Sequence, residues 1–212
     1  YAYEIVTLTK NTAEKLFPNY KIESEIVHMS GRKGIYVNAD DLLEALTNEI
    51  VKRNNYDKEK AKKIAISVIR WELERKNPKT LIKFDFEEVL KYEQGTAIYL
   101  LYTYARLKNI LEKAKEKGKA IKKELNENEK NVLNLLLKYP IVIENSCKTL
   151  NLTQLADYLV NLCFVINEFY EKCPVLQASE NEKLFRLWLV ELCIDILEKI
   201  FYIFGLEKIE RI

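Results

Sequence analysis

The stretch GTAIYLLYTYAR at residues 95–106 opens the part of the chain that decides the fold class. Gly95 interrupts the preceding segment, and a run rich in Tyr and Leu then continues from Ala97 to about Lys117 with the spacing of a long helix. Outward from this run the helical pattern extends in both directions. Two predicted helices begin at the cap residues Asn38 and Asp57. The others cover Asn126–Tyr139 (ending at Pro140), Ile141–Leu150, Thr153–Tyr170 and Glu180–Phe204. Gly205 is the predicted C-cap of the last helix.

Strand character is confined to residues 1–37. Short strands are predicted at Tyr3–Leu8, Glu25–Val27 and Ile35–Val37, the last two joined across a glycine loop, and Thr12–Leu16 fits one helical turn. The predicted fold is therefore mainly α, a helical bundle with a small β-containing part at its N-terminus. Because Tyr1 stands in what looks like a strand already in progress, we expect a fragment whose N-terminal partner domain is absent.

Composition excludes several classes of protein. The 212 residues carry a formal net charge of only +2, so binding of nucleic acid would depend on a local patch. The four cysteines form no Cys-x-x-Cys pair and the one histidine is remote from them, so no metal site is expected. No Ser-His-Asp or Cys-His constellation is available either. Without a signal peptide or a membrane-spanning run, the chain is expected to be cytoplasmic, with no role for a membrane or DNA.

A glycine loop is the first candidate site. In HMSGRKG, residues 28–34, two glycines bracket two cations between short apolar segments. Gly31 and Gly34 permit tight backbone paths that expose N–H groups, while Arg32 and Lys33 add positive charge, so the loop could hold a polyphosphate. A solvated hairpin tip would have the same pattern.

The tyrosine-rich helix is the second candidate site. Tyr99, Tyr102 and Arg106 follow an i, i+3, i+7 spacing and share a face. Aromatic rings beside cations can stack on unpaired bases and hold phosphates, although the tyrosines could equally pack in the core. A lysine-rich stretch follows, either adding weak phosphate affinity or serving as a solvated linker: Lys113, Lys115, Lys117, Lys119, Lys122 and Lys123.

The order of these features resembles the C-terminal half of arginyl-tRNA synthetases of archaeal type. The glycine loop resembles the second signature motif of the class I catalytic domain, and residues 95–106 resemble the entry to the anticodon-binding domain. RLWL at 186–189 and FGLEKIERI at 204–212 resemble the last helix and C-terminus of that domain. The sequence departs from the family pattern at His28 and Gly31, where the class I signature usually has lysines, at Leu101 in place of a glutamine and at Ile212 in place of a methionine. Arginyl enzymes often lack the second signature lysine.

The resemblance implies a division into three parts. Residues 1–38 would end the class I catalytic domain, residues 39–94 would be connecting helices, and residues 95–212 would form the α-helical anticodon-binding domain. The implied activity of the full enzyme is ligation of L-arginine to an arginine tRNA, with ATP and Mg²⁺. The fragment itself is expected to hold no cofactor and to lack activity, because a complete catalytic set is missing.

The resemblance also assigns candidate residues to two sites. The ATP-binding loop would comprise Met29, Ser30, Gly31, Arg32, Lys33 and Gly34, acting electrostatically on the phosphates. The tRNA-binding residues would be Tyr99, Tyr102, Arg106, Arg186 and Trp188, with core packing as the alternative for Tyr99 and Trp188. Two other functions stay open: a non-catalytic helical tRNA- or RNA-binding module, and a scaffold that docks another protein.

Overall fold

A computed structural model describes residues 4–19, 21–28, 36–120 and 124–212. The chain divides into two compact units. Unit 1 comprises residues 1–98 with 205–207, and unit 2 comprises residues 99–204 with 208–212. The predicted parts 1–38 and 39–94 both lie within unit 1. No helix among the described residues combines the length and the apolarity that crossing a membrane requires.

A small sheet lies in unit 1, with β1 (Val6–Thr9) between β2 (Ile26–His28) and β3 (Ile82–Phe84). β1 pairs antiparallel with β2 and parallel with β3, so that Leu8 lies opposite both Val27 and Phe84. The three side chains are buried together. This sheet therefore brings together strands that are more than 70 residues apart in sequence.

The sequence reading of the strands was wrong in two places. Tyr36 and Val37 are not in a strand, so the expected pairing across the glycine loop is not observed for the described residues. The sequence predicts strands only within residues 1–37, yet β3 lies at 82–84. A three-residue strand gives too short an alternation to recognise, and β3 is fixed by its long-range pairing with β1.

The described residues of unit 1 also form the helices α1 (Lys10–Leu16), α2 (Ala39–Asn54), α3 (Lys58–Glu74) and α4 (Phe86–Val89). Asp57 caps α3, as predicted, by accepting a hydrogen bond from the Lys60 backbone nitrogen at 2.9 Å. Asn38 stands at the predicted cap position of α2, but its side chain donates to Asp41 instead of accepting from the backbone. Fully buried Trp71 donates its indole N–H to the Gly95 carbonyl at 2.8 Å, which fixes the chain just before the next helix.

Unit 2 is a bundle of α5 (Ala97–Ala114), α6 (Glu127–Thr149), α7 (Thr153–Lys172) and α8 (Glu180–Phe204), with α5 starting at the end of unit 1. A capping box of Asn126 and Glu129 starts α6. The predicted bounds of α8 match the observed ones, and Gly205 follows it with a positive φ of 60°. The prediction of a mainly helical protein with a small β-containing part is confirmed.

The predicted break at Pro140 is wrong, because α6 continues through it to Thr149. Pro140 is exposed, so its ring points away from the core. The helix loses the hydrogen bond to the Leu136 carbonyl there. One turn along, the Tyr158 hydroxyl of α7 donates to the Leu135 carbonyl at 2.9 Å, and Val132, Leu135 and Leu136 are buried. Tertiary packing thus outweighs a local helix breaker.

Candidate nucleic-acid interface

The exposed side of α5 carries an arginine between two aromatic rings. Tyr102 is 39% exposed and Tyr170 of α7 is 41% exposed. The guanidinium carbon of Arg106 lies 4.5 Å from the centre of the Tyr170 ring and 6.0 Å from that of Tyr102. Both distances are within the range of cation–π attraction. We call Tyr102, Arg106 and Tyr170 the Arg106 surface.

A buried amide fixes the orientation of this arginine. The Oδ1 atom of Asn167 accepts a hydrogen bond from Nη1 of Arg106 at 2.5 Å. Its Nδ2 atom donates to the Thr103 hydroxyl at 2.8 Å and to the Cys163 carbonyl at 3.0 Å. Because Asn167 is only 8% exposed and fully hydrogen-bonded, it holds Arg106 in one place before any ligand arrives.

A pocket of about 400 Å³ adjoins the Arg106 surface. Its polar lining offers two amides, two cations and one carboxylate, and its apolar lining includes the side chains of Ile110 and Val175. The polar lining residues are Arg106, Asn109, Lys113, Glu171 and Gln177. A pocket of this size matches a small ligand or a single nucleotide.

The chemistry of this region suits unpaired RNA. Planar guanidinium and tyrosine faces stack on bases regardless of sequence, while Asn109 and Gln177 can hydrogen-bond base edges. Lys113 offers a charge to a phosphate, and Glu171 can accept a hydrogen bond from an exocyclic amine. Planar rings, amides and charges of this kind suit the binding of a ligand.

The structure separates the predicted tRNA-binding residues into two groups. Tyr102 and Arg106 lie together on the Arg106 surface. Tyr99 is only 8% exposed, so a base could not stack on its ring without a rearrangement, and the core alternative fits its position. Trp188 is half-buried on α8 with its ring 5.6 Å from that of Phe185, and it does not line the pocket.

Arg186 is also buried, at 7% exposure. Its guanidinium donates to Glu129 at 2.9 Å, to the Pro174 carbonyl at 2.8 Å and to Glu182 at 3.4 Å. These contacts join the start of α6, the connection after α7 and α8. The geometry therefore gives Arg186 a structural role in the bundle.

Sequence reasoning missed the residues that α7 contributes. Asn167 and Tyr170 stand three positions apart and so share a face of α7. The available signal was an amide within an otherwise apolar stretch, followed by an aromatic residue before the helix end. Nothing in the sequence indicated that this face of α7 would meet Arg106 of α5.

Other predicted sites lie outside the described residues. These are the whole ATP-binding loop, Met29, Ser30, Gly31, Arg32, Lys33 and Gly34, and two lysines of the lysine-rich stretch, Lys122 and Lys123. The described residues contain no group of three or more His, Cys, Asp or Glu side chains that could hold a metal ion.

Burial raises the pKa of the Cys193 thiol to about 12 and also raises that of Cys163, as expected for buried thiols.

Comparison with known proteins places these features in a family. A family model described as the DALR anticodon binding domain matches residues 100–212. An arginine–tRNA ligase of Pyrobaculum arsenaticum is 32% identical over 221 residues, covering 100% of this chain and 32% of that protein. One of Archaeoglobus fulgidus is 30% identical over 194 residues, covering 86% of this chain and 35% of that protein.

A solved structure agrees with these relatives. The arginyl-tRNA synthetase of Thermus thermophilus superposes with a TM-score of 0.84 at 28% identity, covering 100% of this chain and 35% of that one. This chain spans about a third of the length of the curated relatives it matches. The resemblance predicted from the sequence is thereby confirmed. Since the matching family model covers more than half of its residues, the chain belongs to the DALR anticodon binding domain family.

Proposed function

We propose that this chain binds the anticodon stem-loop of an arginine tRNA through the Arg106 surface of unit 2. The observation that carries the proposal is the preorganised Arg106, held by buried Asn167 and placed over the exposed ring of Tyr170. Anticodon bases are unstacked in a loop and can be splayed onto such planar groups. Membership of the DALR family supports this choice of RNA.

The whole protein, we infer, is an arginine–tRNA ligase, because the relatives that span the chain carry that name. It would consume L-arginine and ATP with Mg²⁺ and would work in the cytoplasm. The glycine loop from Met29 to Gly34 would meet the ATP phosphates through backbone N–H groups and the charges of Arg32 and Lys33. Arginine-dependent pyrophosphate exchange is expected to be undetectable with the 212-residue chain alone.

A salt-titrated binding assay tests the proposal. The chain is mixed with the stem-loop of an arginine tRNA, and with the same stem-loop carrying another anticodon. We expect tighter binding of the arginine loop at every salt concentration, because base contacts specify sequence while phosphate contacts weaken uniformly with salt. Equal affinities would contradict anticodon recognition, and absence of any salt-dependent binding would favour the protein-docking scaffold.

A further inference from the structure

Residues 116–119 of the lysine-rich stretch are docked on the bundle, so this part is not the solvated linker that the sequence pattern allows. The backbone nitrogen of Gly118 donates to the Glu191 carboxylate at 3.0 Å, and that of Lys119 donates to the Leu184 carbonyl at 2.9 Å. Glu116 forms an ion pair with Lys183. Backbone and acidic side chains thus attach this segment to α8.

Gly118 makes the close approach possible. A Cβ atom at this position would overlap the backbone nitrogen and Cα of Trp188 in α8. Only glycine lets two backbones come so near without displacement. The docked position is therefore built into the sequence.

Docking leaves the lysines outside. Lys115, Lys117 and Lys119 are exposed, while Glu116 and Gly118 between them are half-buried against α8. Within the described part of the chain no ion pair joins these lysines, or Lys113 at the end of α5, to an acidic side chain. The nearby Glu112 is paired with Arg211. We call residues 113–119 the lysine strap.

The lysine strap is continuous with the Arg106 surface, since Lys113 also lines the adjoining pocket. A row of unpaired cations that starts at a base-binding pocket matches the layout of single-strand sites, in which a charged groove follows the backbone beyond the stacked bases. We propose that the lysine strap is a track for the RNA phosphates next to the bound loop, a proposal that rests on the proposed function. Its contribution is to affinity and not to choice of anticodon, because phosphates carry no sequence information.

The first test removes the charges. The variant Lys115→Gln/Lys117→Gln/Lys119→Gln is compared with Lys130→Gln/Lys148→Gln/Lys172→Gln, which removes the same charge from lysines paired with neighbouring acids in unit 2. Each lost phosphate contact to a single strand should lower the slope of log affinity against log salt by about 0.7, so the strap variant should lose about two units of slope. The control should retain the wild-type slope.

The second test keeps every lysine but disturbs the docking. Gly118→Ala should lower affinity for the arginine stem-loop by roughly the same factor as the triple strap variant, because the strap no longer lies against α8. Circular dichroism and urea unfolding would establish that the bundle itself is intact. Wild-type affinity in this variant would overturn the role of the docked position.

The outcomes separate this proposal from the proposed function. If the arginine loop is still preferred over the changed anticodon while the strap and control variants behave alike, the lysine strap is refuted and anticodon binding survives. If the strap variant loses slope while no anticodon is preferred, the strap is supported and anticodon recognition fails. Absence of RNA binding by the wild-type chain would overturn both.

Discussion

Asn167 positions the Arg106 side chain through a hydrogen bond. Replacing it with alanine removes the acceptor for Arg106 and the donor to Thr103 in a buried site, so we expect a loss of about 1–3 kcal/mol in the free energy of unfolding. Affinity for the stem-loop should fall as well, because the guanidinium is no longer held over Tyr170. Urea unfolding and RNA titration measure the two effects. The exposed Asn161→Ala on the same helix is the control and should change neither.

Arg186 is the residue at which a sequence prediction and the geometry differ most. Its partner Glu129 is fully buried, so Arg186→Met would remove the positive charge that faces this carboxylate in the core and should cost about 3–5 kcal/mol of folding stability. The double variant Arg186→Met/Glu129→Gln should recover part of this loss. In both variants the folded protein should bind RNA with the wild-type affinity. Nearly unchanged stability with a clear drop in RNA affinity would show that Arg186 contacts RNA after all.

At the scale of single elements, α6 carries an exposed proline within its length. Pro140→Ala restores a donor for the Leu136 carbonyl and removes a ring from the helix interior, so the free energy of unfolding should rise by up to about 3 kcal/mol. The urea midpoint measures this, with Lys138→Ala as an exposed control on the same helix. A loss of stability would mean that Pro140 is required for α6 to pack on α7.

The ion-pair cluster of Lys15, Glu49, Arg53 and Glu87 joins α1, α2 and α4 and makes unit 1 sensitive to acid. Burial disfavours the Glu49 carboxylate, but hydrogen bonds from Arg53 and Lys15 outweigh it and lower the pKa of Glu49 below 4.5. Because the native pKa is the lower one, the stabilisation is present above about pH 4.5 and is lost as the pH falls through the native value.

Urea unfolding between pH 7 and pH 3 tests this cluster. Glu49→Gln should lower stability at pH 7 and flatten its decline in acid. Glu44→Gln, an exposed change on the same helix without an ion pair among the described residues, should leave the profile as in the wild type. A variant that keeps the full wild-type decline would rule out Glu49 as its source.

How far the elements could be predicted depends on what holds each one. α7 and α8 have apolar stripes long enough to define them. Local chemistry marks the start of α3 at Asp57 and the end of α8 at Gly205. β3 and the continuation of α6 through Pro140 depend on partners distant in sequence. The docking of Gly118 on Trp188 also depends on a partner distant in sequence. The sequence alone therefore does not distinguish this lysine-rich stretch from a free linker.

At the scale of the whole molecule, a chain with a net charge of only +2 carries the residues that we propose to bind RNA in unit 2. Tyr102 and Arg106 could be predicted because both lie on one helix at a recognisable spacing. Asn167 and Tyr170 could not, because their roles depend on how α7 lies beside α5 within that unit. A sequence pattern thus finds residues on a shared helix face, whereas a site assembled from two helices requires the structure.

The most direct test of anticodon binding through the Arg106 surface compares two dissociation constants. The ratio is the dissociation constant for the stem-loop with a changed anticodon divided by that for the arginine stem-loop. It is measured for wild type, Tyr102→Ala, Arg106→Ala and the control Lys148→Gln. We predict a ratio well above one for wild type and control. Each surface variant should bring it towards one and should weaken arginine-loop binding by about 10-fold, a typical contribution of one stacked base. A ratio of one in wild type, or an unchanged ratio in both surface variants, would contradict the account.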